Sequence, residues 1–369
     1  MSEPVHNSVD SAFFTPSASS DPDGSAPAVT ALDSTKLVNQ IAALPTSQWA
    51  WGLPQDVRIQ VLCFHPEPHC TLEIDLRTPG GWHRLIGKVY ATDHQDVYQV
   101  MERLSRSGFG PEEEFAIPQP LAYLPSLRLL LQERVDGTSA KEIFKLGDAR
   151  QRAAAAERCG RWLARFQKLA PPSGQISGIE RFLSSAERKC RLITGADSAL
   201  VVKSEQLLER LRTVALSFDA SLTCAGHGDY CEHQIVLTKG RTIVFDWDLY
   251  DIAHPARDVA KFIVSLERLA IKDVGSIRAL DGAAEVFLRA YLDSGGHPRV
   301  PHNLPFYKAV FWLKGRTKAI QARAAGWHEQ AELMLEEGLR NIAGIVHRDP
   351  VHTISHDGQR EQYVISSCR

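Results

Sequence analysis

Two aspartates in the second half of the chain lie where a protein could use them for chemistry. Asp229 follows a short apolar segment, and Asp246 ends the apolar run 242–245. The run 234–237 and the turn Lys239-Gly240 lie between them and predict a β-hairpin, which would bring the two carboxylates together. Phosphoryl transfer requires such a pair, because one carboxylate meets the acceptor hydroxyl and another holds Mg²⁺.

The residues around Asp229 strengthen this interpretation. Gly228 allows a tight backbone beside Asp229, and His227 can hydrogen-bond neighbouring groups and so hold the loop in place. Gln234 follows Asp229 by five residues and offers an amide oxygen as a further metal ligand. Each fragment alone is typical of an ordinary turn. The joint pattern of His-Gly-Asp, a later amide and an apolar strand that ends in Asp favours a catalytic site.

A zinc site in the same stretch is disfavoured. Cys224, His227, Cys231 and His233 are close in sequence but lack the paired spacing of zinc ligands. The seven cysteines of the chain include no CxxC pair, which favours reduced thiols and a cytoplasmic setting.

Composition excludes several classes of protein. With 369 residues, of which 44% are apolar, the chain can bury a large core and form two lobes. The net charge of −2 gives no global basic field, so we expect neither nucleic acid nor a membrane surface as a partner. We expect no transmembrane helix, because no run of 18 apolar residues occurs, and no secretory signal at the N-terminus. The oligomeric state is not readable.

The elements that must position the aspartates fall into an α+β pattern. Short β-rich runs, with alternating residues in the first two, predict strands over 57–64, 70–76 and 82–90, and further strand segments are predicted over 127–135. Apolar residues at helical spacing predict a helix over 93–106. Helical spacing is clearest over 149–169, and further helices are predicted over 180–194, 200–216, 258–270, 275–293, 304–323 and 327–346. We therefore predict a disordered tail (1–33), a small β-rich N-lobe (34–135), a larger helical C-lobe (136–348) and a polar tail (349–369).

The central stretch resembles the aminoglycoside phosphotransferase/choline kinase-like family, which has a two-lobed protein-kinase-like fold. The family's motifs are similar to four segments here, which are His227-Gly228-Asp229, Gln234 in place of Asn, Phe245-Asp246-Trp247-Asp248, and 254–260. The resemblance implies that Asp229 is the catalytic base and that Asp246 and Gln234 hold Mg²⁺. It also implies that Asp258 supports the catalytic loop.

The resemblance implies a nucleotide site in the N-lobe as well. Lys88 would hold the α- and β-phosphates of ATP, with Glu102 as its helix partner. A hinge at 132–135 would bring Glu133 and Val135 to the nucleotide. The turn 65–69 would cover the phosphates, although it has no glycine-rich pattern.

The resulting hypothesis is an ATP- and Mg²⁺-dependent transfer of the γ-phosphoryl group to a hydroxyl of a small molecule. Aminoglycoside-, sugar- and amino-alcohol-like acceptors all remain open, and Asp248, Asp251 and Glu180 hint at a cationic one. The alternative is a catalytically impaired kinase-like protein that binds a nucleotide or a partner. Two features suggest it: Gln234 in place of Asn, and the turn 65–69, which Pro66 and Pro68 make stiff. A protein kinase is disfavoured because the chain has no Asp-Phe-Gly segment.

Overall fold

The structure is a computed structural model that describes residues 34–45, 49, 51–64, 69–191, 198–216, 221–322 and 326–346. The predicted tails at 1–33 and 349–369 lie outside the described residues, as does the turn 65–68. The domain boundaries stay predictions, whereas the predicted α+β arrangement of a β-rich first part and a helical second part is confirmed.

The first part is a five-stranded sheet with the strand order β1-β2-β3-β6-β5. Twelve strands are found in the described residues: β1 (Asp56–Phe64), β2 (His69–Thr78), β3 (Gly81–Tyr90), β4 (Phe115–Ala116), β5 (Pro120–Leu124), β6 (Leu129–Glu133), β7 (Thr138–Ser139), β8 (Ile176–Ser177), β9 (Cys224–Gly226), β10 (Ile235–Leu237), β11 (Thr242–Val244) and β12 (Asp251–Ala253). Alternate residues of β2 are buried in a core that also contains Leu37 and Ile41. One face of this sheet is thus covered, and the other is directed to the rest of the molecule.

The second part is helical and surrounds the predicted hairpin. The helices of the described residues are α1 (Ser34–Ala42) and α2 (Gln95–Leu104) in the first part, and in the second part α3 (Ala140–Leu146), α4 (Ala149–Leu169), α5 (Ile179–Arg191), α6 (Ser198–Ala215), α7 (Ala256–Leu269), α8 (Asp281–Asp293), α9 (Val300–Ala322) and α10 (Trp327–Val346). The helix predicted over 149–169 is confirmed, and it begins with a capping box between Asp148 and Gln151. Two helices were missed: α1, which covers the sheet, and the short α3.

Two small sheets contain the hairpin and the strand that precedes the His-Gly-Asp loop. Strands β10 and β11 pair with Ile235 opposite Val244, which confirms the predicted hairpin. It is extended on both sides, by β7 next to β10 and by β4 next to β11. A second sheet, in the order β8-β12-β9, ends at Gly226, immediately before the His-Gly-Asp loop. These strands of two or three residues pair over long sequence separations, so their local pattern does not reveal them.

Helix bounds differ from prediction mainly where Pro and Gly occur. The predicted helix 275–293 begins only at Asp281, because Gly275 has a left-handed φ of 87°. Helix α9 begins at Val300, ahead of Pro305, which it contains. Within the described ranges no helix is both long enough and apolar enough to cross a membrane.

Candidate active site

The His-Gly-Asp loop is anchored by a buried carboxylate on α7. Asp258 accepts the backbone N–H groups of His227, at 2.7 Å, and of Gly228, at 3.2 Å. Arg257 fixes the same region through two bonds to Asp251, at 2.6 and 2.7 Å, and one to Asp258 at 3.3 Å. The predicted support of the loop by Asp258 is confirmed.

His227 ties this loop to the end of strand β11. Its Nε2 lies 2.8 Å from the carbonyl oxygen of Phe245, and its Nδ1 lies 3.3 Å from the amide nitrogen of Asp229. The pair of contacts suits a neutral ring that donates through Nε2 and accepts through Nδ1. Gly228 has φ +86°, and a Cβ atom there would lie 2.4 Å from the carbonyl oxygen of Leu249. Only glycine fits this turn.

Asp229 forms an ion pair that sequence reasoning missed. The Nζ of Lys261, on α7, lies 2.6 Å from Oδ1 of Asp229, and the two side chains are 20% and 29% exposed. Burial alone would lower the pKa of Lys261, but the charge of Asp229 raises it above its usual value. Lys261 follows Asp258 by three residues on one helix, so a face shared with Asp258 was the only signal available.

A second group of charged residues forms where β3 meets the end of the hairpin. We call Lys88, Asp246 and Asp248 the carboxylate cluster. The Nζ of Lys88 lies 2.7 Å from Oδ1 of Asp246 and 2.5 Å from Oδ2 of Asp248. Tyr90 donates its hydroxyl to Asp248 at 2.9 Å, and the Nε2 of Gln234 donates to Oδ2 of Asp246 at 3.0 Å. The structure thus brings the predicted Lys88, Gln234 and Asp246 together.

The backbone and the charges of the carboxylate cluster are both unusual. Asp246 has φ +66°, a left-handed conformation that costs free energy in a non-glycine residue and is common at functional sites. Burial alone would raise the pKa of Asp246, but Lys88 holds it below its usual range. Burial likewise acts to lower the pKa of Lys88, and the two carboxylates raise it above its usual value. Both groups are therefore charged near neutral pH.

The predicted pairing of Lys88 with Glu102 is not observed and needs correction. Oε1 of Glu102 accepts from the hydroxyl of Tyr98 at 3.2 Å and from Arg106 at 3.1 Å. Both partners lie four residues away on the same face of the helical segment, where side chains meet readily. The ammonium of Lys88 is instead occupied by the two carboxylates at the end of the hairpin. A nucleotide contact of Glu102 stays a prediction.

The two hinge residues lie where β6 leaves the sheet. Glu133 is directly opposite Leu85 in the sheet, so its side chain lies on the other face from Lys88. Its carboxylate accepts the backbone N–H of Gln119 at 3.1 Å. Val135 is half-buried in the connection that follows. Their predicted nucleotide contacts are untested, and a contact of Glu133 in the cleft beside Lys88 would have to come from its backbone.

The residues of the carboxylate cluster fit a hard divalent cation. Two carboxylates and the amide of Gln234 provide the oxygen ligands that Mg²⁺ prefers, and a single ammonium leaves the two carboxylates with a net negative charge. A different set, Asp229, Cys231 and His233, also lies within 4.8 Å. Burial raises the pKa of the Cys231 thiol, whose sulfur lies 3.0 Å from the carbonyl oxygen of Asp229. A protonated thiol is a poor metal ligand, so this set does not fit.

Comparison with solved structures shows the same architecture in several kinases. A choline/ethanolamine kinase family protein from Mesorhizobium loti has a TM-score of 0.58 and 14% identity over 84% of this chain and 98% of its own. Choline kinase from Cryptosporidium parvum has a TM-score of 0.52 and 13% identity over 82% and 92% of the two chains. The aminoglycoside phosphotransferase APH(4)-Ia, in a ternary complex with ADP and hygromycin B, has a TM-score of 0.54 and 15% identity over 80% and 95%. At these identities the likeness shows the fold.

Sequence comparison adds the family. A search of curated proteins found no match. The model of the phosphotransferase enzyme family matches residues 78–302, which include Lys88, the His-Gly-Asp loop and the whole hairpin. Since this match covers more than half of the chain, the chain belongs to the phosphotransferase enzyme family.

Proposed function

We propose that this protein is an ATP- and Mg²⁺-dependent kinase that transfers the γ-phosphoryl group to a hydroxyl of a small molecule. One observation carries the proposal. The hydrogen bonds of His227 link the backbone of Asp229 to the strand end that precedes Asp246. An acceptor-side carboxylate and a phosphate-side carboxylate are thereby held in a fixed relation, which phosphoryl transfer depends on.

The acceptor side of the reaction belongs to Asp229. Its carboxylate orients the acceptor hydroxyl and takes the proton while the oxygen forms its bond to the γ-phosphorus. The bond from the γ-phosphorus to the bridging oxygen breaks, and ADP leaves with that electron pair. Lys261 holds Oδ1 of Asp229, whereas Oδ2 has only a long contact with the Cys231 sulfur, at 3.8 Å, among the described residues and can meet the hydroxyl.

The phosphate side belongs to the carboxylate cluster. Asp246, Asp248 and Gln234 would hold the metal ion, and Lys88 would contact the phosphates. When bound, Mg²⁺ would neutralise the negative charge that grows on the phosphates as the bond from the γ-phosphorus to the bridging oxygen breaks. Asp246 has a left-handed backbone, and its carboxylate contacts Lys88. The APH(4)-Ia complex with ADP and hygromycin B supports a site of this kind on the same fold.

The test is the loss of the proposed base. Asp229→Asn keeps the size of the side chain but cannot accept a proton, so ATP turnover should fall about 100- to 10,000-fold. Nucleotide binding and the melting temperature should stay close to wild type. Asp293→Asn, an exposed change of the same kind at the end of α8, is the matched control and should keep full activity.

Three outcomes separate the hypotheses. Full ATP turnover by Asp229→Asn would show that Asp229 is not the base. Nucleotide binding by the wild-type protein without turnover, across cationic, neutral and anionic hydroxyl compounds, would favour the impaired alternative. Turnover that depends on Asp229 and on an added acceptor supports the kinase.

A further inference from the structure

Positive charge exceeds negative charge on the acceptor side of Asp229. We call Lys261 on α7 and Lys314 on α9 the lysine pair. Lys261 bonds Asp229, and its Nζ also lies 5.6 Å from the ring centroid of Phe311. The Nζ of Lys314 lies 3.8 Å from the ring centroid of Phe182. These two rings contact each other edge to face at 5.2 Å, so the lysine pair flanks one aromatic surface.

Lys314 has no acidic partner in the part of the chain that the structure describes. Among the described residues, no carboxylate lies within 4.0 Å of its ammonium, which the surrounding protein partly covers. Burial, and to a lesser extent nearby cations, chiefly Lys189 and then Arg257 and Lys261, together lower its pKa to about 7. A desolvated lysine without an acid costs stability, and such groups concentrate at functional sites.

The acidic residues that hinted at a cationic acceptor are used elsewhere. Asp251 is held by Arg257 through two hydrogen bonds. Asp248 is bound by Lys88 and Tyr90 on the phosphate side. Glu180 is exposed at the start of α5. Of the acids that the sequence suggested near the acceptor, only Asp229 remains, and Lys261 already balances its charge.

We propose that the acceptor carries an anionic group, a carboxylate or a phosphate, which binds to the lysine pair while its hydroxyl meets Asp229. This inference rests on the proposed function. The ammonium of Lys261 has three N–H donors and uses one to bind Asp229, so further donors are available to an anion. The rings of Phe182 and Phe311 offer an apolar surface for the carbon skeleton of the same molecule.

The experiment compares small hydroxyl compounds of equal skeleton and different charge. Glycerol is neutral, serinol is cationic, glycerate carries a carboxylate and glycerol 3-phosphate carries a phosphate. Binding is measured by calorimetry in the presence of a non-hydrolysable ATP analogue, and phosphoryl transfer is measured separately with ATP. We expect at least one of the two anions to bind about tenfold or more tightly than glycerol and serinol. The better of the two anions identifies the anionic group.

Variants of Lys314 connect this preference to the lysine pair. Lys314→Met keeps a flexible apolar chain against Phe182. It should weaken binding of the preferred anion about 10- to 100-fold and leave the affinity for glycerol unchanged. Lys314→Arg keeps the charge and should retain most of the preference. Lys239→Met removes an exposed lysine at the far turn of the hairpin and should change nothing. Melting temperatures check that each variant is folded.

The outcomes distinguish a failed inference from a failed function. Anion binding that requires Lys314 but leads to no phosphoryl transfer supports the anion site and contradicts the kinase. Transfer to serinol or glycerol at least as efficient as to either anion supports the kinase and overturns the anion site. Failure of both anions to bind, or binding unaffected by Lys314→Met, also overturns it.

Discussion

The two sides of the candidate active site carry opposite charge imbalances. On the phosphate side, Asp246 and Asp248 share the single ammonium of Lys88. On the acceptor side, Asp229 pairs with Lys261, whereas the ammonium of Lys314 lies against the ring of Phe182. Each side is prepared for a ligand of the missing sign, because partly buried charge without a partner is unfavourable.

This difference teaches that residue types alone are a poor guide to ligand charge. Asp248 and Asp251 lie close in sequence to Asp246, yet one serves Lys88 and the other serves Arg257. What an acidic residue can offer a ligand depends on which cations already bind it.

On the phosphate side, removing one carboxylate should have a larger effect than removing Lys88. Asp246→Asn should lower metal-dependent turnover about 100- to 1000-fold, because the metal loses a charged ligand and Lys88 loses a partner. Turnover as a function of Mg²⁺ concentration measures the change, with Asp293→Asn as the control. An unchanged Mg²⁺ dependence would place the metal elsewhere.

Lys88 and Glu102 should behave as independent residues. Lys88→Met should weaken nucleotide binding about 10- to 100-fold through the loss of charge-assisted hydrogen bonds. Glu102→Gln should change nucleotide affinity less than about twofold, because its ion pair with Arg106 is largely exposed. Calorimetric titration with an ATP analogue compares them. Equal losses of nucleotide affinity in the two variants would support the pairing of Lys88 with Glu102 that the sequence suggested.

Lys314 should make the acceptor side sensitive to pH. Its pKa is lowered to about 7 by burial, then by Lys189 and Arg188 on α5 and by Arg257 and Lys261 on α7. Affinity for an anionic acceptor should be greatest below about pH 7. Above that pH the ammonium loses its proton, and the affinity should fall by at most about tenfold for each pH unit.

Stability should follow the opposite direction. A folded-state pKa below the unfolded value means that the unfolded chain binds more protons between about pH 7 and pH 10, so the free energy of unfolding gains a rising contribution there. Lys314→Arg keeps its charge over this whole range. Comparing the Arg variant with wild type at each pH isolates both effects, and parallel curves would show that Lys314 does not titrate near pH 7.

A smaller effect than at Asp246 is expected at Gln234. Its amide already reaches Oδ2 of Asp246 at 3.0 Å, so the longer side chain is accommodated in this site. A displacement of about 1 Å can cost about 100-fold in rate, but because Gln234 already contacts Asp246, Gln234→Asn should change turnover by less than about tenfold. Steady-state kinetics decides this. A gain of about 100-fold or more on restoring Asn would support the impaired alternative.

Local patterns in the sequence predicted much of the molecule. Periodicity identified the long strands, the helix 149–169 and the hairpin, because each has a repeating apolar face that must be buried. The motif around His227 and Asp258 also identified the loop and its support. The strands β4, β7, β8, β9 and β12 were missed because two or three residues contain no periodic signal. Strand β5 was missed as well, since the predicted range 127–135 contains β6 but not β5.

The residue types and their spacing along the chain were enough to identify the side chains that could do chemistry and the order of most strands and helices. Only the tertiary structure decided how their charges pair. Lys88 is 158 residues from Asp246 in sequence, yet the two form an ion pair, while Glu102 is bound locally by Arg106. Lys261 and Lys314 acquire their relation to Asp229 only when α5, α7 and α9 pack together. Ion pairs depend on distance and burial in space, and a local sequence pattern records neither.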